Sequence, residues 1–342
     1  MKSRIISAFA LAACACVLTG PSPRVAAQES QEKQPPVKVS GGERDAAEKI
    51  NKAKGPEAKI QAAAEFIKKY PKSALRPQVA SYVAGEISRT EDAQLKASLA
   101  ETYLSLFTEA GEPELVQSSL IIAYLAAERA ADAFRAAPAW LAKNPDDVDV
   151  LRRLTNLASN ASIRGDHSLV QQGLQYGRKA AELLETDKMP AGTDPARWAA
   201  YKTEALPTLY RELGVLALRA GDRAAMAAYM RKAAEHKSDD PAVYIILSDI
   251  ANEEYRTLAN QYKIAPAGAE RDALLKKVEG QLDKVIELYA QTVALTEGNA
   301  QYKEAHDQMR QDLEAYYKFR HNNSTAGMQE LINKFKAAPA TP

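Results

Sequence analysis

Apolar residues between Tyr210 and Tyr244 recur at spacings of three, four and seven positions, the pattern of a helix that buries one side. Gly221 and Asp222 interrupt the pattern, and the polar run 237–241 interrupts it again. The first stripe contains Tyr210, Leu213, Gly214 and Ala217, and the same positions 34 residues later contain Tyr244, Leu247, Ser248 and Ala251. The stretch therefore predicts two helices and the start of a third, in a unit that repeats after 34 residues.

This period of 34 residues with two helices per unit resembles the tetratricopeptide repeat family. A second stretch, residues 123–145, also resembles that repeat, because Tyr124, Ala133 and Pro145 match the family's aromatic, small and terminal proline positions. Glu128 stands where glycine is usual in the family. Pro138 falls inside the second helix of this unit, and we expect it to kink or break that helix.

The resemblance implies an all-α fold, a right-handed solenoid of about seven antiparallel helix pairs over residues 43–336. Numbering each unit from one anchor residue gives spacings of 34, 59, 34 and 58 for the anchors Gln117, Leu151, Tyr210, Tyr244 and Tyr302. In the first long unit the extra residues fall in a longer second helix, Asp166–Thr186, a loop, Asp187–Thr193, and an added segment, Pro195–Ala205. In the second they fall in two long helices, Asp240–Lys263 and Glu270–Thr296. We expect the long helices to project beyond their neighbours.

Three Asx-Pro pairs mark predicted helix starts: Asn144-Pro145, Asp194-Pro195 and Asp240-Pro241. Asparagine or aspartate caps the backbone N–H groups of a helix, and proline fits the first turn. The chain is rich in alanine, leucine, glutamate, lysine and arginine, and it has little β-branched alternation. The sequence therefore predicts helices and no sheet.

The N-terminal sequence predicts a targeting segment. Lys2 and Arg4 precede an apolar run, Ile5–Thr19, that is too short to span a membrane. Cleavage after Ala27 would make residues 1–27 a signal peptide and export the chain to the periplasm or beyond. Acylation of Cys14 in a lipobox-like sequence is the alternative, and it would make the chain a lipoprotein on a membrane surface. Residues 28–42 and 337–342 are predicted to be a disordered linker and a disordered tail.

Composition narrows the functional classes. Removing residues 1–27 leaves 42 basic and 44 acidic residues, because three of the 45 basic residues and none of the 44 acidic ones lie in that segment. A net charge of −2 argues against nucleic-acid binding, so we expect membrane contact only through an acylated Cys14. Both cysteines, Cys14 and Cys16, lie in the same segment, so the processed chain would have no thiol for a disulfide.

The sequence offers no recognisable catalytic or metal-binding motif. The four histidines are each isolated, and neither a nucleotide-binding glycine loop nor a serine-nucleophile motif is present. His306 lies at a small-residue position of a predicted helix, where a packed histidine is the simpler interpretation. Trp140 and Trp198 are likewise expected in the core. We therefore expect no enzyme activity, no metal and no cofactor.

In the tetratricopeptide family the first helix of each unit lines a groove that binds extended peptides or partner helices. By that resemblance, the groove positions lie two before each anchor and one, five, eight and nine after it. The predicted groove residues are Arg152, Asn156, Asn160, Arg211, Arg219, Asp249 and Asn252, with Ser159 also at a groove position.

Arg152 and Asn156 resemble half of the family's carboxylate clamp, although Glu212 stands where the clamp needs asparagine. The hypothesis for this surface is a groove patch formed by Arg152, Asn156, Arg211 and Arg219, and the alternative is a solvated face that binds no ligand. The resulting prediction is a non-catalytic exported scaffold that binds a protein or peptide. The alternatives are a carrier or receptor for a small molecule or glycan, which a closed aromatic-lined cavity would favour, and an envelope-assembly lipoprotein anchored through Cys14.

Overall fold

The structure is a computed structural model that describes residues 39–186, 188–190 and 192–336. The predicted signal peptide, the lipidation site, most of the predicted linker and the predicted tail lie outside these residues. The first helix begins at Gly41, within the predicted linker, because Ser40 and Glu43 form a capping box. In that box, Glu43 N donates to Ser40 Oγ at 3.3 Å and Ser40 N donates to Glu43 Oε2 at 2.7 Å.

Within the described residues the fold is all-α, which confirms the predicted class. Fourteen α-helices follow one another, with one 3₁₀ turn, Ala300–Tyr302, before the thirteenth. The helices are α1 Gly41–Lys52, α2 Pro56–Lys69, α3 Arg76–Arg89, α4 Ala93–Leu106, α5 Glu114–Ala126, α6 Ala130–Lys143, α7 Val148–Ile163, α8 Val170–Glu185, α9 Pro195–Arg219, α10 Arg223–Glu235, α11 Pro241–Ile264, α12 Ala269–Thr296, α13 Lys303–Arg320 and α14 Met328–Lys334.

The helices pack as a solenoid. From α1 to α13, each helix contacts the next one along the chain, and α14 packs on α12. The odd-numbered helices α3, α5, α7 and α9 also lie side by side in that order. Helices α2 and α4 make the equivalent contact on the other layer. Each unit therefore buries one side against its neighbours and leaves the other side of its odd-numbered helix facing solvent.

Local sequence signals fix most of the helix ends. Gly221 takes a left-handed φ of 80°, which glycine adopts without steric cost, and Asp222 then caps α10 by accepting from Ala225 N at 2.9 Å. Asp194 and Asp240 cap α9 and α11 as predicted. The prediction for Asn144 is wrong: it ends α6, and Asp147 caps α7 three residues later by accepting from Val150 N.

Two predictions about proline-containing segments need correction. Pro138 does not break α6, which continues to Lys143. Ala133, Phe134 and Ala137 hold that helix in the core on the N-terminal side of the proline. The added segment Pro195–Ala205 is not a separate element either, because α9 runs from Pro195 through Pro207 to Arg219 as one helix of 25 residues.

Two hydrophobic cores run along the array. The first extends from Ile50 to Leu247, and the second contains side chains from Ala251 to Ile332. Helix α11 contributes to both and so joins the last helices to the rest. As predicted, α11 and α12 are long, with 24 and 28 residues, and their deeply buried residues end at Ala251 and begin again at Val278.

Candidate functional site

The solvent-facing sides of α5, α7, α9 and α11 form one surface, which we call the odd-helix face. Its exposed or half-buried positions are Leu115, Ser118, Ile122 and Ala126 on α5; Asp149, Arg152, Asn156 and Asn160 on α7; Thr208, Arg211, Val215, Leu218 and Arg219 on α9; and Ala242, Ile245, Asp249 and Asn252 on α11. These are positions that the anchor numbering assigns to the groove, and two assigned positions are missing from the surface. Leu125, eight residues after the anchor Gln117, is buried. Ser159 is fully buried, so it does not reach this surface.

A chain of amide hydrogen bonds links α7 to α9. Asn160 Nδ2 donates to Asn156 Oδ1 at 3.1 Å, and Asn156 Nδ2 donates to Glu212 Oε1 at 2.6 Å. Asn156 and Asn160 are four residues apart and therefore project from the same side of α7. The predicted groove residues Asn156 and Asn160 are thus brought together. Their partner is Glu212, the residue that stands where the carboxylate clamp needs asparagine.

Glu212 is the most unusual residue of the cluster. Only 1% of its surface is exposed, and its Oε2 atom is buried with no hydrogen-bond partner among the described residues. Burial raises the pKa of the Glu212 carboxyl above its ordinary value, and the hydrogen bond from Asn156 and the charges of Arg211 and Arg152 oppose that effect. The Glu212 carboxyl therefore links α9 to α7 through its bond from Asn156, and its burial costs more free energy when the carboxyl is ionised than when it is protonated.

Arg152 lies beside this cluster and is already engaged. Its Nε donates to Tyr201 Oη at 3.2 Å, its Nη2 lies 3.5 Å from Asp149 Oδ1, and its guanidinium lies 5.9 Å from the Tyr201 ring centre. Tyr201 belongs to the N-terminal half of α9, so the length of α9 supplies this contact. The second arginine of the predicted patch, Arg211, pairs with Asp240 at 3.1 Å.

The remaining predicted residues lie apart from this cluster. Arg219 is the last residue of α9 and is exposed. Asp249 and Asn252 lie on α11, where Asn252 Oδ1 accepts from Tyr316 Oη of α13 at 2.8 Å. Tyr316 in turn contacts Tyr255 edge-on at 5.6 Å between ring centres. The predicted set therefore divides into the cluster on α7 and α9, Arg219 alone at the end of α9, and Asp249 and Asn252 on α11.

Sequence reasoning missed the apolar part of the odd-helix face. Leu115 and Ile122 are 44% and 48% exposed, and they project from one side of α5 because they are seven residues apart. Leu218 on α9 is another exposed large apolar residue on this face. Applying the anchor rule to Gln117 would have found Leu115 and Ile122, since they lie two before and five after it.

One cleft near this region has a volume of about 670 Å³ and is open to solvent. It lies between the start of α9 and the end of α10, with Trp198, Leu206, Met189 and His236 among its lining residues. Trp198 is buried as expected, and its Nε1 is a buried donor without a partner in the described chain. This cleft is not the closed aromatic cavity that would favour a carrier.

His306 and His236 make ordinary structural contacts. His306 Nδ1 lies 3.0 Å from Thr296 Oγ1, and the His236 ring stacks on Tyr210 at 5.5 Å between ring centres. Over the ranges that the structure covers, no group of three or more histidine, cysteine, aspartate or glutamate side chains is arranged to hold a metal ion. In the same part of the chain, no helix combines the length and apolar character that crossing a membrane requires.

Comparison with known proteins adds no assignment. No protein-family model matches the sequence, and no curated protein matches it either.

Proposed function

We propose that this protein is a non-catalytic, exported tetratricopeptide-like scaffold that binds an extended segment of a partner protein on the odd-helix face. The observation that carries the proposal is the pattern of that face. Adjacent helices present exposed apolar side chains, Leu115 and Ile122 on α5, next to a row of amides, Asn156 and Asn160, on α7.

This combination suits an extended peptide. An extended chain presents backbone N–H and C=O groups along its length, and a carboxamide side chain offers both a donor and an acceptor to such groups. The apolar residues of α5 offer contact area to a side chain at one end of the segment. Ion pairs engage Arg152 and Arg211. Asn156 and Asn160 each use only one of their two amide N–H groups in the bonds described above, so the proposal rests on the amides and the apolar residues rather than on an arginine patch.

A random peptide library selected on the purified protein tests this proposal. We expect enriched peptides whose binding is lost in Ile122→Glu and weakened in Asn160→Ala. Gln172→Glu on α8 is the matched control, because Gln172 is exposed on the other layer of the array. Peptides that bind all three variants equally, or no enriched peptides at all, would contradict the proposal.

The second candidate function is a carrier of small molecules. The open cleft does not meet the criterion of a closed aromatic cavity, and the observation that favours a carrier is the buried Trp198 Nε1 donor, which has no partner in the described chain and belongs to a residue that lines the cleft. An apolar molecule with a hydrogen-bond acceptor would fit its lining. Native mass spectrometry of the protein recovered from its host decides the question: a bound small molecule that is lost in Leu206→Arg would support the carrier. A mass that corresponds to the protein without any bound molecule would leave the scaffold as the better proposal.

A further inference from the structure

The cleft beside Trp198, which we call the Trp198 cleft, has the size of a small-molecule site. Its volume of about 670 Å³ falls within the usual range for such sites. One wall is the first half of α9, and the other is formed by Glu235, His236 and Lys237 at the end of α10. The residues that line the cleft do not include those of the odd-helix face, so the two surfaces are separate.

The α9 wall is a single stripe of the helix. Its lining residues lie three, four, seven, eight and eleven positions after the first one, which is the spacing of one helical side. They are Pro195, Trp198, Ala199, Lys202, Thr203 and Leu206. The stripe is mainly apolar, and Ala199 at its middle is exposed. It therefore offers apolar contact along two turns of α9 and beyond.

The indole N–H of Trp198 is the unsatisfied polar group of this stripe. Trp198 is 7% exposed, and its Nε1 has no acceptor among the described residues. The ring stacks on Tyr201 at 5.6 Å between ring centres, so its position is held from the protein side. By contrast, Trp140 Nε1 donates to Asp147 Oδ2 at 2.8 Å. An indole nitrogen can only donate, so the group that satisfies Trp198 must be an acceptor.

The opposite wall contributes positive charge. Lys237 is exposed, and it forms no ion pair with any residue that the structure describes. Glu235 is the acidic residue of the lining, and its Oε2 lies 3.6 Å from Lys232 Nζ. The same Lys232 Nζ lies 3.5 Å from Glu185 Oε1, so the carboxylates beside this wall already have a basic partner. Lys237 therefore remains to pair with an anion in the cleft.

We propose that the Trp198 cleft binds an apolar organic acid. The carboxylate of the ligand accepts from Trp198 Nε1 and pairs with Lys237, and the apolar body lies along Ala199 and Leu206. A carboxylate has two oxygens and can serve both groups at once. The inference rests on the second candidate function, the carrier, for which it names the class of ligand. It is independent of peptide binding on the odd-helix face.

Binding requires a small movement of the lining. Trp198 Nε1 is shielded from water by its neighbours, so an acceptor reaches it only when a lining side chain moves aside. Met189 has that freedom, because it is 39% exposed and its unbranched side chain has three rotatable bonds. The acceptor then recovers the free energy that the unpaired indole N–H costs in the interior.

Nuclear magnetic resonance of the full chain labelled with nitrogen-15 tests the proposal. The two tryptophans give two indole N–H signals, and Trp140→Phe identifies the one that belongs to Trp198. The probe is 2-naphthoate, and 2-naphthamide is its uncharged counterpart with the same ring and carbonyl oxygen. We expect 2-naphthoate to move the Trp198 signal downfield and to leave the Trp140 signal in place. The amide should bind about fivefold more weakly, because hydrogen bonds to charged groups are stronger.

Two pairs of variants locate the site. Ala199→Phe and Ala200→Phe add the same ring at neighbouring exposed positions of α9, but of the two only Ala199 lines the Trp198 cleft. The first should abolish the shift of the Trp198 signal, and the second should preserve it. Lys237→Gln should weaken 2-naphthoate about fivefold and leave 2-naphthamide unchanged. Lys68→Gln, at an exposed position of α2, should change neither.

The outcomes separate this inference from the carrier function itself. Equal affinity for 2-naphthoate and 2-naphthamide would overturn the organic acid and leave a carrier of neutral molecules standing. Loss of binding in Ala200→Phe instead of Ala199→Phe would place the ligand on the other side of Trp198 and overturn the proposal. A Trp198 signal that does not move at millimolar 2-naphthoate would overturn it as well, whatever the native mass spectrum shows.

Discussion

Replacing Glu212 by glutamine should stabilise the protein at neutral pH and change little in acid. Glutamine keeps the carbonyl oxygen that accepts from Asn156 at 2.6 Å, and it removes the charge from a side chain that is 1% exposed. The pKa of the Glu212 carboxyl is raised above 4.5 in the folded protein, chiefly by burial. The folded state therefore holds this proton more tightly than the unfolded state does, and the wild type loses stability as pH rises between the two pKa values.

The magnitude follows from that linkage. Each unit by which folding raises the pKa costs about 1.4 kcal/mol once the pH exceeds the folded value. The advantage of Glu212→Gln should be near zero at and below the unfolded pKa and should reach a plateau above the folded one. Glu212→Ala should instead be less stable than Glu212→Gln by about 2–4 kcal/mol, because it opens a cavity and leaves the Asn156 amide without its acceptor.

Urea denaturation followed by circular dichroism over a series of pH values measures these differences. Glu204→Gln is the matched control, because it makes the same chemical change on the same helix at an exposed position. A stability difference for Glu212→Gln that is constant from acid to neutral pH would refute the reasoning. A destabilisation by glutamine at neutral pH would show that the charge is compensated by Arg211 and Arg152.

Three further predictions use other features of the fold. Gly177→Ala should destabilise the protein by about 1–2 kcal/mol although alanine has the higher helix propensity, because the new Cβ would lie 2.7 Å from a Leu213 methyl group. Gly280→Ala should stabilise it by about 0.5–1 kcal/mol, because a Cβ there meets nothing within 4 Å. Thermal melts compare the two variants. Glu112→Ala should cost about 3–5 kcal/mol in urea titrations, because Arg76 Nε donates to Glu112 Oε1 at 2.7 Å in a buried pair. Because that hydrogen bond lowers the pKa of Glu112 below 4.5, the loss should fade as pH falls through the folded value. Glu128→Gly should be about 0.5–1 kcal/mol more stable than Glu128→Ala by thermal melt, because Glu128 has a left-handed φ of 53°.

The repeating pattern of the sequence predicts the fold well because turns and caps are local. The helix ends that define the 34-residue period, such as the Gly221-Asp222 turn, depend on residues close together in the sequence. The same holds for the apolar spacing that predicts the long helices α11 and α12. Errors arise where tertiary packing outweighs a local signal. Pro138 and Pro207 both lie inside continuous helices, since neighbouring side chains hold those helices in the core.

The candidate site is less predictable for the same reason. Anchor numbering places Asn156 and Arg152 on the exposed side of α7, but it has no means of placing Glu212 under them. Its position depends on how closely α7 and α9 approach, and Gly177 of α8 permits that approach through contacts with Thr155 and Leu213.

Photo-crosslinking in the native host tests the central claim most directly. A photoreactive amino acid is placed at Ile122 or Asn160 on the odd-helix face, and at Gln172 on the opposite layer as the control. The account predicts that one partner protein crosslinks from both positions of the odd-helix face and not from Gln172. No adduct at Ile122 and Asn160, or the same adducts from all three positions, would contradict it.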